Sequence, residues 1–171
     1  MRRPSVVTAS CCAALQIACS IDITAGDSPS EIDEGILAAL AEYQSFAKIN
    51  NAPFASQIAA NDVNVFASAP GYASIHPDST STAVVFPTGT LLVRQVLGSD
   101  GSVAELTLMA KGPLSADPEV GDWLYGITDP DGVPLVGSAG SAELGQMPEC
   151  HSCHVARAAC GYVFGVAEAD Q

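Results

Sequence analysis

The segment from residue 83 to residue 136 constrains the fold most, because short runs of β-branched and aromatic residues alternate there with turn sequences. The turns are Pro87-Thr88-Gly89, Ser99-Asp100-Gly101 and Asp129-Pro130-Asp131-Gly132. The predicted strands are Val63–Ala67, Ala83–Phe86, Thr90–Leu97, Val103–Met109, Trp123–Thr128 and Val133–Val136. Short strands joined by turns of this kind predict an antiparallel meander.

A helix is predicted ahead of the strands. Ser28 can cap it, Pro29 suits its first position, and Glu31 can reach back to the backbone N–H of the cap. Apolar residues then follow at helical spacing, and they are Ile32, Ile36, Leu37, Leu40, Tyr43 and Ala47. We expect this helix to end near Asn50-Asn51, ahead of Pro53. The predicted class is therefore α+β, mainly antiparallel sheet, with this N-terminal helix and a short C-terminal one.

The first nineteen residues have the features of an export signal. Met1-Arg2-Arg3 is a charged start, and Val6–Ala18 is an apolar stretch too short to span a membrane. The sequence Gln16-Ile17-Ala18-Cys19 resembles a lipoprotein cleavage site, although Gln16 stands where Leu is usual. We predict a signal over residues 1–19 and one domain over residues 20–171, in a periplasmic or exported protein. Lipid anchoring through Cys19 stays open.

The charge balance argues against a nucleic-acid partner. The chain has 19 acidic and 6 basic residues, and the acidic ones all follow the predicted signal. A surface this acidic repels phosphate backbones and anionic lipid headgroups. It could attract a basic redox partner.

The motif Cys150-His151-Ser152-Cys153-His154 carries the clearest chemistry. The spacing C-x-x-C-H lets two thiols add to the two vinyl groups of a haem while the adjacent His ligates the iron. The alternative is a redox-active or structural Cys pair that precedes a histidine. Because Cys11, Cys12 and Cys19 fall in or at the end of the signal, only Cys150, Cys153 and Cys160 belong to the folded domain, and this small odd number argues against a disulfide framework. We predict one covalent haem c on Cys150 and Cys153, with His154 on the iron.

The position of the motif argues against two helical cytochrome architectures. Only 17 residues follow His154, and none of them is Met or His. A small electron-transfer cytochrome with an early motif and a downstream Met ligand is therefore excluded. A four-helix bundle with a late motif conflicts with the predicted strands.

The chain resembles the cytochrome P-460 family, which includes the β-sheet cytochromes c′. The resemblance covers roughly residues 40 to 166, and its matching stretches are 43–50, 86–94, Lys111, 121–123, 150–154 and 162–164. It implies a mainly antiparallel sheet with helices, one c-type haem and an open iron face for small ligands. Cys160 departs from the family, whose members often carry an acid just before the element that matches Tyr162-Val163-Phe164.

The resemblance also implies roles for two further residues. Enzymes of this type carry a lysine about a dozen residues before the Gly-x-Trp element, cross-linked to the porphyrin edge, and Lys111 precedes Trp123 by twelve residues. The alternative for Lys111 is an ordinary surface lysine at a strand end. Trp123 is expected to contact the haem or to lie in the core.

Several functional alternatives stay open. The leading hypothesis is a haem protein that binds or oxidises hydroxylamine or nitric oxide and passes electrons to a soluble cytochrome. Its rivals are a six-coordinate electron carrier, with His76, Met109 or Met147 as second ligand, and a gas sensor or scavenger without turnover. Glu143 and Glu149 lie near the motif as candidate proton acceptors. The oligomeric state stays open, with a homodimer as one alternative.

Overall fold

A seven-stranded antiparallel sheet forms the centre of the structure. The computed structural model describes residues 29–56, 61–68, 85–113 and 118–164. The strands are β1 (Ala47–Lys48), β2 (Phe54–Ala55), β3 (Asp62–Ala67), β4 (Leu91–Leu97), β5 (Val103–Lys111), β6 (Trp123–Thr128) and β7 (Leu144–Gly145). The helices are α1 (Pro29–Leu40) and α2 (Pro148–His154), with 3-10 segments at Tyr43–Ser45, Pro118–Val120 and Val155–Cys160.

The strands β3 to β6 pair in sequence order, which confirms the predicted meander. β1 and β2 both pair with β3, on the side away from β4, and β7 pairs with β6. The turn between β4 and β5 follows its sequence, since Gly101 has φ 81° and Asp100 Oδ1 accepts hydrogen bonds from the backbone N–H and hydroxyl of Ser102.

Helix α1 covers one face of the sheet. Successive side chains of a strand point to opposite faces, so alternate residues of β4, β5 and β6 are directed at α1. The buried cluster on this face is Ile36, Ala39, Leu40, Tyr43, Phe46, Leu91, Val93, Leu106, Leu108, Ala110 and Leu124.

The C-terminal segment covers the opposite face, which we call the motif face. Its buried cluster is Ala67, Phe86, Leu92, Met109, Trp123, Tyr125, Met147 and Val163, with Cys150 and Tyr162 packed against it. The α+β class is confirmed as a mainly antiparallel sheet with two short helices, and α2 carries the motif.

The predicted length of the first helix is wrong. The α-helix ends at Leu40, and Ala47–Lys48 pair with β3 instead of continuing the helical stripe. Tyr43 explains the break, because its ring packs edge-on against Phe66 at 5.5 Å and its hydroxyl accepts a bond from Gln95. These non-local contacts outweigh the local periodicity.

Two predicted strands also differ. Val133–Val136 makes only isolated bridges, from Pro134 to Thr128 and from Val136 to Ala142, because proline has no N–H for a ladder. Val85 and Phe86 are not in a strand, and the rest of Ala83–Phe86 lies outside the described residues. The predicted export signal, Ser28, Cys19 and His76 also lie outside them. No described helix is long and apolar enough to cross a membrane.

Candidate functional site

The local sequence explains how α2 is formed. Met147 precedes it in an extended conformation, and Pro148 occupies the first turn, where its missing N–H costs nothing. The chain continues as a 3-10 segment and ends at Gly161 in the left-handed conformation. Residues three and four apart on a helix are neighbours, so Cys150, Cys153 and His154 lie side by side.

The two thiols of the motif differ in their surroundings. Cys150 is half-buried against the motif-face cluster, whereas Cys153 is exposed. Burial, and then the charges of Glu149 and Glu143, raise the pKa of Cys150 to about 11, while Arg94 opposes this rise. Both residues carry thiols rather than a disulfide, as does Cys160.

His154 is held by a hydrogen bond through one ring nitrogen. Its Nδ1 lies 2.6 Å from the carbonyl oxygen of Tyr162. A carbonyl can only accept, so Nδ1 carries the hydrogen and Nε2 keeps its lone pair. The ring also packs near Tyr125 and Phe164, with centroids at 5.3 and 5.2 Å. Burial lowers the pKa of His154, which favours the neutral, metal-binding form, although the bond to Tyr162 opposes this.

The carbonyl that orients His154 is itself positioned by the sheet. Tyr162 has φ 67°, and its N–H donates to the carbonyl of Arg157 at 2.8 Å. Trp123 is fully buried and its indole N–H donates to the Gly161 carbonyl at 2.8 Å. Gly121 leaves room for the Tyr162 ring, which a Cβ at that position would overlap. The sequence hypotheses assigned no role to Gly121 or to the carbonyl of Tyr162, because these contacts are not local.

Lys111 lies at the end of β5, directly opposite Trp123. Its ammonium donates to the backbone carbonyl of Gly121, lies 3.8 Å from a carboxylate oxygen of Asp122, and sits 5.8 Å from the centroid of the Trp123 ring. Burial lowers the pKa of Lys111, and Asp122 opposes that shift. Lys111 is therefore a partly buried group on the motif face rather than an ordinary exposed surface lysine.

Arg94 is a residue of the motif face that the sequence hypotheses left without a role. It lies in β4, opposite Thr107 of β5, and its Nε donates to the Thr107 hydroxyl at 3.0 Å. Burial lowers the pKa of Arg94, and Glu105 and Cys150 oppose the shift. The sequence did contain an indication of its importance, because Arg94 is the single charged residue in a strand that is otherwise apolar except for Gln95.

A cavity of about 260 Å³ opens between α2 and β6. Its lining consists of Glu119, Val120, Trp123, Tyr125, Gln146, Met147, Pro148 and His151. Nε2 of His151 is buried with no hydrogen-bond partner among the described residues. Met109 and Met147 are both buried in the motif-face cluster.

The donor set fits a covalently attached haem. Two thiols lie one helical turn apart, and the next residue is an imidazole whose Nδ1 is already engaged. Among the described residues, no three His, Cys, Asp or Glu side chains form a metal-ligand cluster. A porphyrin supplies four ligands of its own, so one imidazole is enough for a haem iron.

Comparison with models of known protein families finds no match for this chain, and comparison with curated proteins finds none either.

Proposed function

We propose that this chain is an exported mono-haem c-type cytochrome of the P-460 type, which binds or oxidises a small nitrogen species such as hydroxylamine or nitric oxide. The hydrogen bond from His154 Nδ1 to the Tyr162 carbonyl carries the proposal. It leaves Nε2 available to the iron and fixes the ring orientation. A redox-active Cys pair would have no need for this arrangement of the following histidine.

The residues of α2 would attach the group and hold its iron. Cys150 and Cys153 would each supply an S–H that adds across a vinyl double bond, with sulfur on one carbon and hydrogen on the other, so the attachment would need no oxidant. His154 would bind the iron through its imidazole. The bound haem would supply an iron that binds a substrate nitrogen and accepts electrons.

The surroundings support a confined site with an acidic exterior. Trp123 and Tyr125 are buried aromatic side chains that line one wall of the cavity beside α2. Glu143 and Glu149 lie close enough to raise the pKa of the Cys150 thiol, and they are the candidate proton acceptors for an oxidation. The net charge of −13 favours a basic soluble cytochrome as electron acceptor.

The test begins with the full chain, expressed in a bacterium that attaches haem to exported C-x-x-C-H proteins. Intact mass should show one covalent haem, loss of the signal, and any lipid on Cys19. Cys150→Ala or Cys153→Ala should yield apoprotein or loosely held haem, whereas Cys160→Ala, the matched thiol control, should load normally. Full covalent loading of the Cys150→Ala/Cys153→Ala variant would contradict the proposal.

Ligation then separates the open site from the six-coordinate carrier. A high-spin ferrous spectrum that shifts with nitric oxide supports the open iron face. A low-spin ferrous spectrum, lost on substituting Met109 or Met147 by Leu, would assign the chain to electron carriers instead.

A further inference from the structure

Arg94 places a partly buried positive charge on the motif face. Every other residue of β4 is buried, and apart from Gln95 they are apolar. Thr107 anchors the guanidinium through Nε at 3.0 Å. No carboxylate among the described residues forms an ion pair with Arg94, so its charge is not cancelled by a direct partner.

The position of Arg94 in the sheet places this charge on the face that the C-terminal segment covers. One cross-strand row on the motif face consists of Leu92, Met109 and Tyr125, and the next row consists of Arg94, Thr107 and Ile127.

The C-terminal segment packs on the first of these rows. Tyr125 contacts the His154 ring, and Cys150 packs on the same cluster. Arg94 therefore lies one row away from the residues against which His154 and Cys150 pack. The acids acting on the same region are Glu105, Glu143 and Glu149.

We propose that Arg94 is a fixed positive charge on the motif face and that it would raise the reduction potential of a haem iron bound by His154. The inference rests on the proposed function, because it requires a haem held by His154. The oxidised iron carries one more positive charge than the reduced iron, so a nearby cation disfavours the oxidised state. Partial burial limits screening by water and salt. Arginine suits this role because its guanidinium stays protonated where a buried lysine can lose its proton.

The expected effect can be bounded from Coulomb's law. At an effective dielectric constant of about 20, a unit charge roughly 10 Å from an iron would change the ferric-to-ferrous ratio on the order of tenfold. For a one-electron couple, tenfold corresponds to about 59 mV. Arg94 would change the reduction potential through its charge and would not contact substrate, so it is a positioning residue and not a catalytic one.

The experiment is a potentiometric titration of the haem-loaded protein. Arg94→Gln should lower the potential by the equivalent of roughly tenfold in the ferric-to-ferrous ratio. Arg94→Lys should recover most of the wild-type value at a pH low enough to keep the lysine protonated, because the charge is then restored. Lys48→Gln removes the same charge from an exposed position on β1 and should leave the potential unchanged.

Further variants keep the inference testable if Arg94→Gln does not fold. Arg94→Met retains the packing of the stem without the charge, and Thr107→Val frees the guanidinium from its anchor, so both should lower the potential. Haem-loaded variants that all titrate like the wild type would overturn the role of Arg94 and leave the proposed function intact. A wild-type protein without covalent haem would overturn the proposed function, and the role of Arg94 with it.

Discussion

Gly161 and Tyr162 are consecutive residues in the left-handed conformation, with φ 66° and 67°. For tyrosine this conformation costs about 1 kcal/mol or more, so surrounding contacts must maintain it. Trp123 binds the Gly161 carbonyl, and Arg157 accepts from the Tyr162 N–H. The orientation of His154 therefore depends on a tryptophan that lies in the sheet.

Gly121→Ala tests this dependence. Gly121 has φ 65°, and a Cβ there would lie 2.7 Å from Cδ2 of Tyr162. Gly140→Ala is the matched control, since Gly140 has φ 82° and nothing within 4 Å of such a Cβ. We expect the control to lose about 1 kcal/mol of unfolding free energy from backbone strain. Gly121→Ala should lose a further ~1–3 kcal/mol from the steric overlap. Equal losses in urea unfolding would show that Tyr162 is not held by this contact.

Lys111 tests the cross-link that the family resemblance implies. If its amine is joined to the porphyrin edge, the ferrous Soret band should lie well to the red, and a tryptic peptide with Lys111 should co-migrate with the haem peptide. Lys111→Ala should then restore an ordinary c-type spectrum and abolish hydroxylamine oxidation, while nitric oxide binding persists. Because the amine is held by Gly121 and Asp122, Asp122→Asn serves as a comparison that keeps the amine. A plain c-type spectrum in the wild type would make Lys111 a structural residue.

At the level of elements, a buried polar network links the 3-10 turn after α1 to the sheet. The Asn50 side-chain amide donates to Asn64, Asn64 donates to Gln95, and Gln95 donates to the Tyr43 hydroxyl at 2.8 Å. The network runs from the loop after β1 across β3 and β4 to the 3-10 turn after α1. Such fully connected groups specify one packing arrangement, since each unpaired member would be costly.

Tyr43→Phe tests how much this network contributes to the free energy of unfolding. The substitution leaves the Gln95 amide buried without that acceptor, so we expect a loss of about 1–3 kcal/mol of unfolding free energy. Gln44→Ala is the control, because Gln44 reaches the same hydroxyl from an exposed position at 3.5 Å. That change should stay within about 0.5 kcal/mol. If both variants unfold at the wild-type urea midpoint, the network contributes nothing to stability.

At the scale of the whole molecule, the sequence predicted the strands and turns that depend on local residue patterns. The strands β3 to β6 and the Ser99-Asp100-Gly101 turn followed from alternation and turn chemistry. The end of α1 did not, because it depends on pairing between Ala47 and Ala67, twenty residues away. The motif could be recognised because its five residues are adjacent in the sequence. The roles of Arg94, Gly121 and the Tyr162 carbonyl could not be predicted, because these groups come from separate segments of the chain.

Maturation should depend on the first residues of the chain. A chain beginning at Asp22 lacks the predicted signal, so it should accumulate without covalent haem, because attachment to such motifs takes place outside the cytoplasm in most systems of this kind. Replacing residues 1–19 by an unrelated export signal should restore loading, which separates export from any structural role of the segment. Normal holoprotein in the cytoplasm of cells expressing the shortened chain would contradict this.

The sequential strand order has a kinetic consequence. β4 and β5 are joined by a turn of only a few residues, so their pairing closes a short loop at little entropic cost. Contacts between neighbours in sequence form faster than contacts between distant segments. We therefore expect the β4–β5 hairpin to form early and α2, which follows every strand, to dock late on a sheet that is already assembled. Until it docks, Cys150 would be as accessible to an attachment enzyme as Cys153, and docking would then bury the first thiol while the second remains at the surface.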